Sequence, residues 1–316
     1  MLVTIASLQQ PTFHSEFSWP RKSGQSMTEY VSQELDRRMQ FVGDRLEVAA
    51  KAAIDQRPDS ECLFFTLPEF FWNVPWSSAR REEELLELSM AYMERMSECM
   101  EILMNWLPVD RYGKVVLLAG TCATLIKVGE GPDAYFDVIN YVMTTSNFRF
   151  RTDGLPEMSM WPKRYVSGID FGKYVDSAAG YWFFKLSDNL TIKVKGVSST
   201  VAEHNSADGY GAIFSNTLIA QCPFSINVCL DYAVLEKGQR DEELEKIDSK
   251  IDFLIACGMS FEDGKRYPDS VRFAVRNDGM DAGRCQFAEV KAGRITRLVP
   301  SVIVEDSLHF ATLELS

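Results

Sequence analysis

Apolar positions along the chain follow two periods. Residues 2–8 form a β-rich apolar run and predict a buried first strand. A polar loop through Pro11, His14, Pro20 and Gly24 follows, and Ser26 or Thr28 is placed to cap a helix reaching about Gln56. Its apolar positions Tyr30, Val31, Leu35, Met39, Val42 and Leu46 recur at three and four residues, as an amphipathic helix requires. Residues 62–67 predict a compact strand that ends at Pro68-Glu69. Residues 78–106 predict a long helix whose stripe of Leu85, Leu88, Tyr92, Met96, Met100 and Leu103 reads as core packing. Further strands are predicted at 114–120 and in an extended pair of segments over 134–145. A hairpin over 181–195 turns near Asp188-Asn189.

Strands at 212–218 and 225–228 come next, then a charged helix at 241–250 and a strand at 251–256. Strands at 271–275, 286–290 and 302–304 complete the pattern. Strands alternating with helices, with antiparallel pairs between them, predict one α/β domain over 1–316 with a mixed sheet or two packed sheets. No repeat, low-complexity linker or domain boundary interrupts it.

Composition narrows the partners. The formal net charge of −12 repels phosphate backbones, so nucleic acid is not expected. No run approaches the roughly 20 apolar residues that span a bilayer, and the first residues lack the basic start of a signal peptide. A cytoplasmic location is the expectation. Seven cysteines, odd in number and without a CxxC pair, argue against a disulfide framework or a structural zinc site. No metal or organic cofactor is expected.

Three short segments carry candidate chemistry. Leu67-Pro68-Glu69-Phe70-Phe71-Trp72 places a carboxylate directly after a strand among aromatic residues, which would desolvate it and make it a better base. The ordinary alternative is a solvated loop glutamate. Trp161-Pro162-Lys163-Arg164-Tyr165 places a lysine between aromatic rings, where its charge could face a developing oxyanion. The alternative is a surface lysine with its stem on Trp161. Ile226-Asn227-Val228-Cys229-Leu230-Asp231-Tyr232 ends an apolar strand on a cysteine, with the Leu230 N–H next in line. The alternative is a core cysteine.

Taken in order, Glu69, Lys163 and Cys229 resemble the glutamate, lysine and cysteine motifs of the carbon–nitrogen hydrolase (nitrilase) superfamily. Residues 64–70 are similar to the family's glutamate motif, and residues 3–9, 118–121, 140–142, 251–258 and 273–279 to other strands of it, so the resemblance covers most of the chain. It implies a four-layer α-β-β-α sandwich, a homodimer, and a C-terminal stretch past about Val302 that reaches toward a partner. It also implies roles: Glu69 as general base, Cys229 as nucleophile, and Lys163 with the Leu230 amide as stabilisers of the oxyanion. The reaction implied is hydrolysis of a small amide through a cysteine thioester.

Two departures from the family pattern matter. Many relatives carry a second glutamate about eight residues after the lysine. Phe171 stands there, preceded by Asp170, which either substitutes or is a plain loop aspartate. True nitrilases usually show Trp-Glu after the cysteine; Leu230-Asp231 favours an amide over a nitrile. Transfer of the acyl group to an amine, or a non-catalytic binding scaffold, are the alternative activities. Loops around 71–80, 146–160, 168–182 and 200–210 are expected to shape the pocket. Trp72, Trp161 and Tyr165, with Trp76, are candidate substrate contacts or core residues. Arg149, Arg151 and Arg164 are candidate carboxylate binders or plain surface arginines. His14, His204 and His309 sit in no Cys-His motif.

Overall fold

The computed structural model describes residues 1–13, 17–163, 165, 167–195, 218–236, 249–261 and 267–315. Residues 212–217 of the strand expected over 212–218 and residues 241–248 of the helix expected over 241–250 lie outside them, as do His14, His204 and Arg164.

A large mixed sheet carries most of the N-terminal half. Its central strands are β1 (Leu2–Leu8), β2 (Leu63–Thr66), β3 (Val115–Val128) and β4 (Tyr135–Phe150). β1, β2 and β3 run parallel, and β4 returns antiparallel to β3. β5 (Pro156–Pro162) also pairs with β4, whereas β8 (Leu190–Lys195), β7 (Tyr181–Ser187) and β6 (Lys173–Ala178) extend the sheet beyond it. On the other side β15 (Leu308–Glu314) pairs with β1 over seven residues and carries β14 (Val302–Val304) outside it. The last stretch of chain therefore lies within its own sheet.

A second sheet has the order β13 (Arg294–Leu298), β12 (Arg284–Lys291), β11 (Phe273–Asp278), β10 (Ile251–Ala256), β9 (Phe224–Val228). β9, β10 and β11 are parallel; β12 and β13 return antiparallel. The two sheets pack face to face through Val3, Ile5, Phe64 and Leu118 against Phe224, Ile226, Phe253 and Val275. Phe64 meets Phe224 and Phe253 with ring centroids 5.5 Å from each. Burying the alternate residues of both inner faces is what joins the sheets.

The opposite face of the large sheet is covered by α1 (Met27–Gln56) and α2 (Glu82–Asn105). Ser26 caps α1: its hydroxyl accepts from the Glu29 N–H, and Glu29 accepts from the Ser26 N–H. This reciprocal cap starts the helix before its first apolar residue. Gly43 lies beneath Trp106, where an added Cβ would meet the indole at 2.3 Å. α2 begins at Glu82 rather than at 78, because Trp76–Ser78 forms a separate 3-10 turn and Arg81 is extended (φ −141°). A one-turn helix, α3 (Val109–Tyr112), leads into β3, and α4 (Asp231–Glu236) follows β9. Among the described residues the layers are thus helices, sheet and sheet, a mixed α/β architecture with two substantial helices.

Candidate functional site

Three strand ends deliver the chemistry-bearing side chains to one place. Glu69 follows β2, Lys163 follows β5 and Cys229 follows β9. Each is fastened by its neighbours. The Glu69 N–H donates to Ala256 O at 3.3 Å, and the Glu69 carbonyl accepts from the Thr12 hydroxyl at 2.6 Å. The next N–H, of Phe70, donates to Thr121 Oγ1 at 2.8 Å. Gly120 lies directly below: at φ +64° an added Cβ would stand 2.4 Å from the Pro68 carbonyl oxygen. The Lys163 N–H donates to Asn140 O at 2.7 Å, and the Cys229 N–H to Ile255 O at 2.9 Å. The Tyr165 N–H donates to Asp231 Oδ1 at 3.0 Å, tying the lysine segment to the cysteine segment.

Two residues of the site hold left-handed backbone, Phe70 at φ 61° and Cys229 at φ 47°. Neither is glycine, and for a side-chain-bearing residue this conformation costs about 1–2 kcal/mol. Cys229 therefore sits on a sharp, strained turn between β9 and α4. The Leu230 N–H, first on that turn, makes no hydrogen bond among the described residues.

The charges are buried together. The Lys163 ammonium donates to Glu69 Oε1 at 2.9 Å and to both Asp170 oxygens at 2.7 and 2.9 Å. The Lys163 side chain is 2% exposed and both carboxylates 0%. The Asp170 carboxylate also accepts from the Ser167 N–H and hydroxyl, and its carbonyl accepts from the Trp76 indole at 3.0 Å. Glu69 Oε1 takes a second bond, from Asn140 Nδ2 at 3.1 Å, while Oε2 is buried without a partner.

Burial pushes the Glu69 carboxyl up to about 7; Lys163 opposes the rise and Asp170 adds to it. Burial also works against the charge on Lys163, but Asp170 and Glu69 outweigh it and hold the ammonium well above the ordinary lysine range. The Cys229 thiol is raised by burial and by Glu69, with Lys163 opposing, so it rests protonated. Its sulfur donates weakly to Cys257 O at 3.5 Å. The thiol is also close enough to Glu69 to draw that carboxyl's pKa down. A thiol turned from Cys257 to Glu69 would satisfy the empty Oε2.

A cavity of about 350 Å³ opens beside this group, with Asp170, Phe70, Thr12, Trp76, Phe17 and Arg38 in its wall. Of the candidate contacts, Trp76 lines it. Trp72 is fully buried in the helix-side core, its indole donating to Ala119 O at 2.6 Å. Trp161 packs between the sheets. The expected loop over 146–160 is mostly strand, the end of β4 and most of β5. Gly172 and Leu186 reach the cavity from the β6–β7 region. Arg149 and Arg151 are exposed, and Arg151 pairs with Asp153 at 2.7 Å. The arginine at the cavity is Arg38, a charged residue inside the apolar stripe of α1. Its spacing of four from Glu34 is the signal that could have found it.

Among the described residues no group of three His, Cys, Asp or Glu side chains could hold a metal ion. No described helix is long and apolar enough to cross a membrane.

No protein-family model matches the chain, and a search of curated proteins gives no match. Solved structures do match. A carbon–nitrogen hydrolase from Helicobacter pylori G27 is 11% identical, covers 99% of this chain and 90% of its own, and superposes with a TM-score of 0.45. An amidase from Nesterenkonia sp. is 13% identical over 98% of this chain and 90% of its own, with a TM-score of 0.39. A glutamine-dependent NAD(+) synthetase from Cytophaga hutchinsonii is 12% identical over 99% of this chain and 43% of its own, with a TM-score of 0.34. The chain is structurally similar along its full length, at low identity, to carbon–nitrogen hydrolases and amidases.

Proposed function

We propose that this protein hydrolyses the C–N bond of a small amide through a thioester on Cys229. The observation that carries the reading is the buried Lys163 ammonium held between two buried carboxylates beside a cysteine on a strained turn. Stability alone gives little reason for such a group. Removing three ions from water costs several kcal/mol each, and well-packed apolar residues would serve a core as well. Strain, shifted pKa values and an unsatisfied buried oxygen concentrated in one buried group are the marks of a chemical site.

Each residue has a role that the geometry supports. Glu69, close to neutral pH in its pKa, takes the thiol proton on Oε2. The thiolate sulfur attacks the amide carbon, and the carbonyl π electrons move to oxygen. That oxyanion is stabilised by the fixed Lys163 charge and the Leu230 N–H. Collapse breaks the C–N bond, and Glu69 returns its proton to the departing ammonia or amine. Water then attacks the thioester carbon, with Glu69 again as base. The second collapse breaks the C–S bond, restores the thiol and releases the acid. Asp170 positions Lys163 and keeps it charged throughout. Leu230-Asp231 after the nucleophile favours amides over nitriles.

Intact-mass spectrometry of wild type and Cys229→Ala after incubation with a pooled amide and nitrile library tests the reading. An acyl adduct, or substrate loss, in wild type alone is the expected result. Turnover surviving in Cys229→Ala would remove Cys229 from the mechanism.

A further inference from the structure

One buried polar residue of the site has no step in that chemistry. Asn140 lies on β4, on the face that packs toward the second sheet. Two residues further along the same face, Val142 belongs to the apolar layer between the sheets. Asn140 is 2% exposed. An apolar side chain there would continue that layer, whereas a side-chain amide taken out of water is costly unless both its ends are paired. Only one is. Nδ2 donates to Glu69 Oε1 at 3.1 Å, while Oδ1 is buried with no hydrogen-bond partner among the described residues. Turning the amide over would set Oδ1 against the Glu69 carboxylate and lose the contact.

The backbone of the same residue is committed as well. The Asn140 carbonyl accepts from the Lys163 N–H at 2.7 Å, and Lys163 Nζ donates to the same Glu69 Oε1 at 2.9 Å. Asn140, Lys163 and Glu69 thus close a ring of contacts across three segments of the chain. The last torsion of a glutamate is soft, so a carboxylate held by one donor swings about it. Held at one oxygen by two donors from different segments, it keeps its other oxygen in one direction. Both donors favour the ionised form, and Oε2 stays without a partner.

We infer that Asn140 is a positioning residue for the base: its side-chain amide pins Glu69 Oε1 beside Lys163, so that Oε2 faces the Cys229 thiol. The inference rests on the reading of Glu69 as the base of that thiol, and it gives Asn140 no contact with substrate. Any residue on β4 would supply the carbonyl that holds Lys163. The side chain is what the inference concerns, and a merely structural asparagine would not touch the titration of Glu69.

The titratable groups that face Glu69 are Lys163, Asp170, Cys229 and Cys257. Asn140→Leu leaves all four in place and removes the donor. The first readout is the acid limb of Cys229 alkylation by iodoacetamide in the full chain. Loss of one donor to an ionised carboxylate should raise the limb by about one pH unit from its place near 7, and slow alkylation on its acid side about tenfold. The second readout dispenses with the thiol. Urea unfolding of Cys229→Ala is compared with Cys229→Ala/Asn140→Leu from about pH 5 to 9. A carboxyl raised on folding contributes stability that is lost as pH rises through its folded value, so the decline should run about one pH unit higher in the double variant.

Upward displacement of both readouts supports the inference. Both in place, with or without a lower melting temperature, mark a structural asparagine and overturn it, leaving the hydrolase reading untouched. A displaced limb with the stability decline in place would locate the change at the sulfur and overturn it too. A displaced decline with no limb in wild type keeps Asn140 as the residue that holds Glu69, and the hydrolase reading is then the one that fails. If Asn140→Leu does not fold, Asn140→Ala is read in the same way. If neither folds, the side chain serves the fold itself and the inference falls.

Discussion

Replacing Asp170 by asparagine keeps the volume of the side chain and removes one negative charge from the site. Glu69 and Asp170 touch the same Lys163 ammonium at 2.7–2.9 Å, so their nearest oxygens are at most about 6 Å apart. At that separation, with an effective dielectric constant of about 20, two unit charges repel by about 3 kcal/mol. One pH unit corresponds to about 1.4 kcal/mol, so the Glu69 carboxyl should fall by about two pH units from its position near 7. Burial, the largest cause of its elevation, is unchanged by the substitution, and so is the attraction of Lys163. The assay is alkylation of Cys229 by iodoacetamide, followed by intact mass across the pH range. Glu69 must be ionised to draw off the thiol proton, so the acid limb of the rate profile reports its titration. The limb should lie near pH 7 in wild type and near pH 5, by the same rough calculation, in Asp170→Asn. An acid limb that stays in place, or moves up, would refute the coupling of the two carboxylates. The variant should also melt earlier, because the asparagine side chain has one acceptor oxygen where both Asp170 oxygens serve Lys163 and Ser167. That loss changes the melting temperature but does not move the limb.

Three further outcomes follow from the same geometry. A carboxyl raised from its ordinary value to about 7 binds its proton more tightly in the folded state, so its contribution falls as pH rises from about 4.5 to 7. Glu69→Gln should flatten that part of the stability–pH curve, measured by urea unfolding, and an undiminished slope would assign it elsewhere. Gly120→Ala places a Cβ against the Pro68 carbonyl at positive φ. It should cost about 2 kcal/mol or more and slow Cys229 alkylation; wild-type values for both would show that the loop yields freely. Finally, the turn at Cys229 reverses the usual order of small residues. Cys229→Gly should be more stable than Cys229→Ala by about 1 kcal/mol. Alanine melting higher would mean that the left-handed turn is not held in solution.

What could be read from the sequence depended on how strongly burial writes itself into a segment. β1, β2, β9 and β10 are buried almost throughout, and their apolar runs mark them. Glu69 and Cys229 stood out as candidates because they follow the ends of such runs, whereas Lys163 follows the partly buried β5 and was marked by its aromatic neighbours Trp161 and Tyr165. β6 and β13 are mostly exposed, and their few apolar residues, Tyr174, Val175, Ile295 and Leu298, are mixed with polar ones and form no continuous run. β15 alternates in burial between buried and half-buried positions and was legible in principle. Its partner, β1, lies some 300 residues away, a pairing that periodicity alone does not reveal. The aromatic residues misled in a specific way. Trp72 and Trp76 read alike in sequence and both pack into the helix-side core, but only Trp76 also reaches the cavity.

The features that most distinguish the site are the ones sequence is least able to carry. The positive φ of Cys229 has no glycine to announce it. The pairing of Asp170 with Lys163 depends on a turn in which Ser167 bonds both Asp170 oxygens while Trp76 fixes the Asp170 backbone from another segment. Asp170 and Lys163 are seven residues apart, and nothing in that spacing requires contact. Once they do touch, the charge count follows: one ammonium between two carboxylates cannot leave both fully stabilised. Asp170 has four bonds and Glu69 has two, both to one oxygen. Glu69, buried and the less satisfied of the two, is driven toward neutral pH first by burial and then by Asp170, and in the proposed mechanism its empty oxygen is the one that accepts the thiol proton.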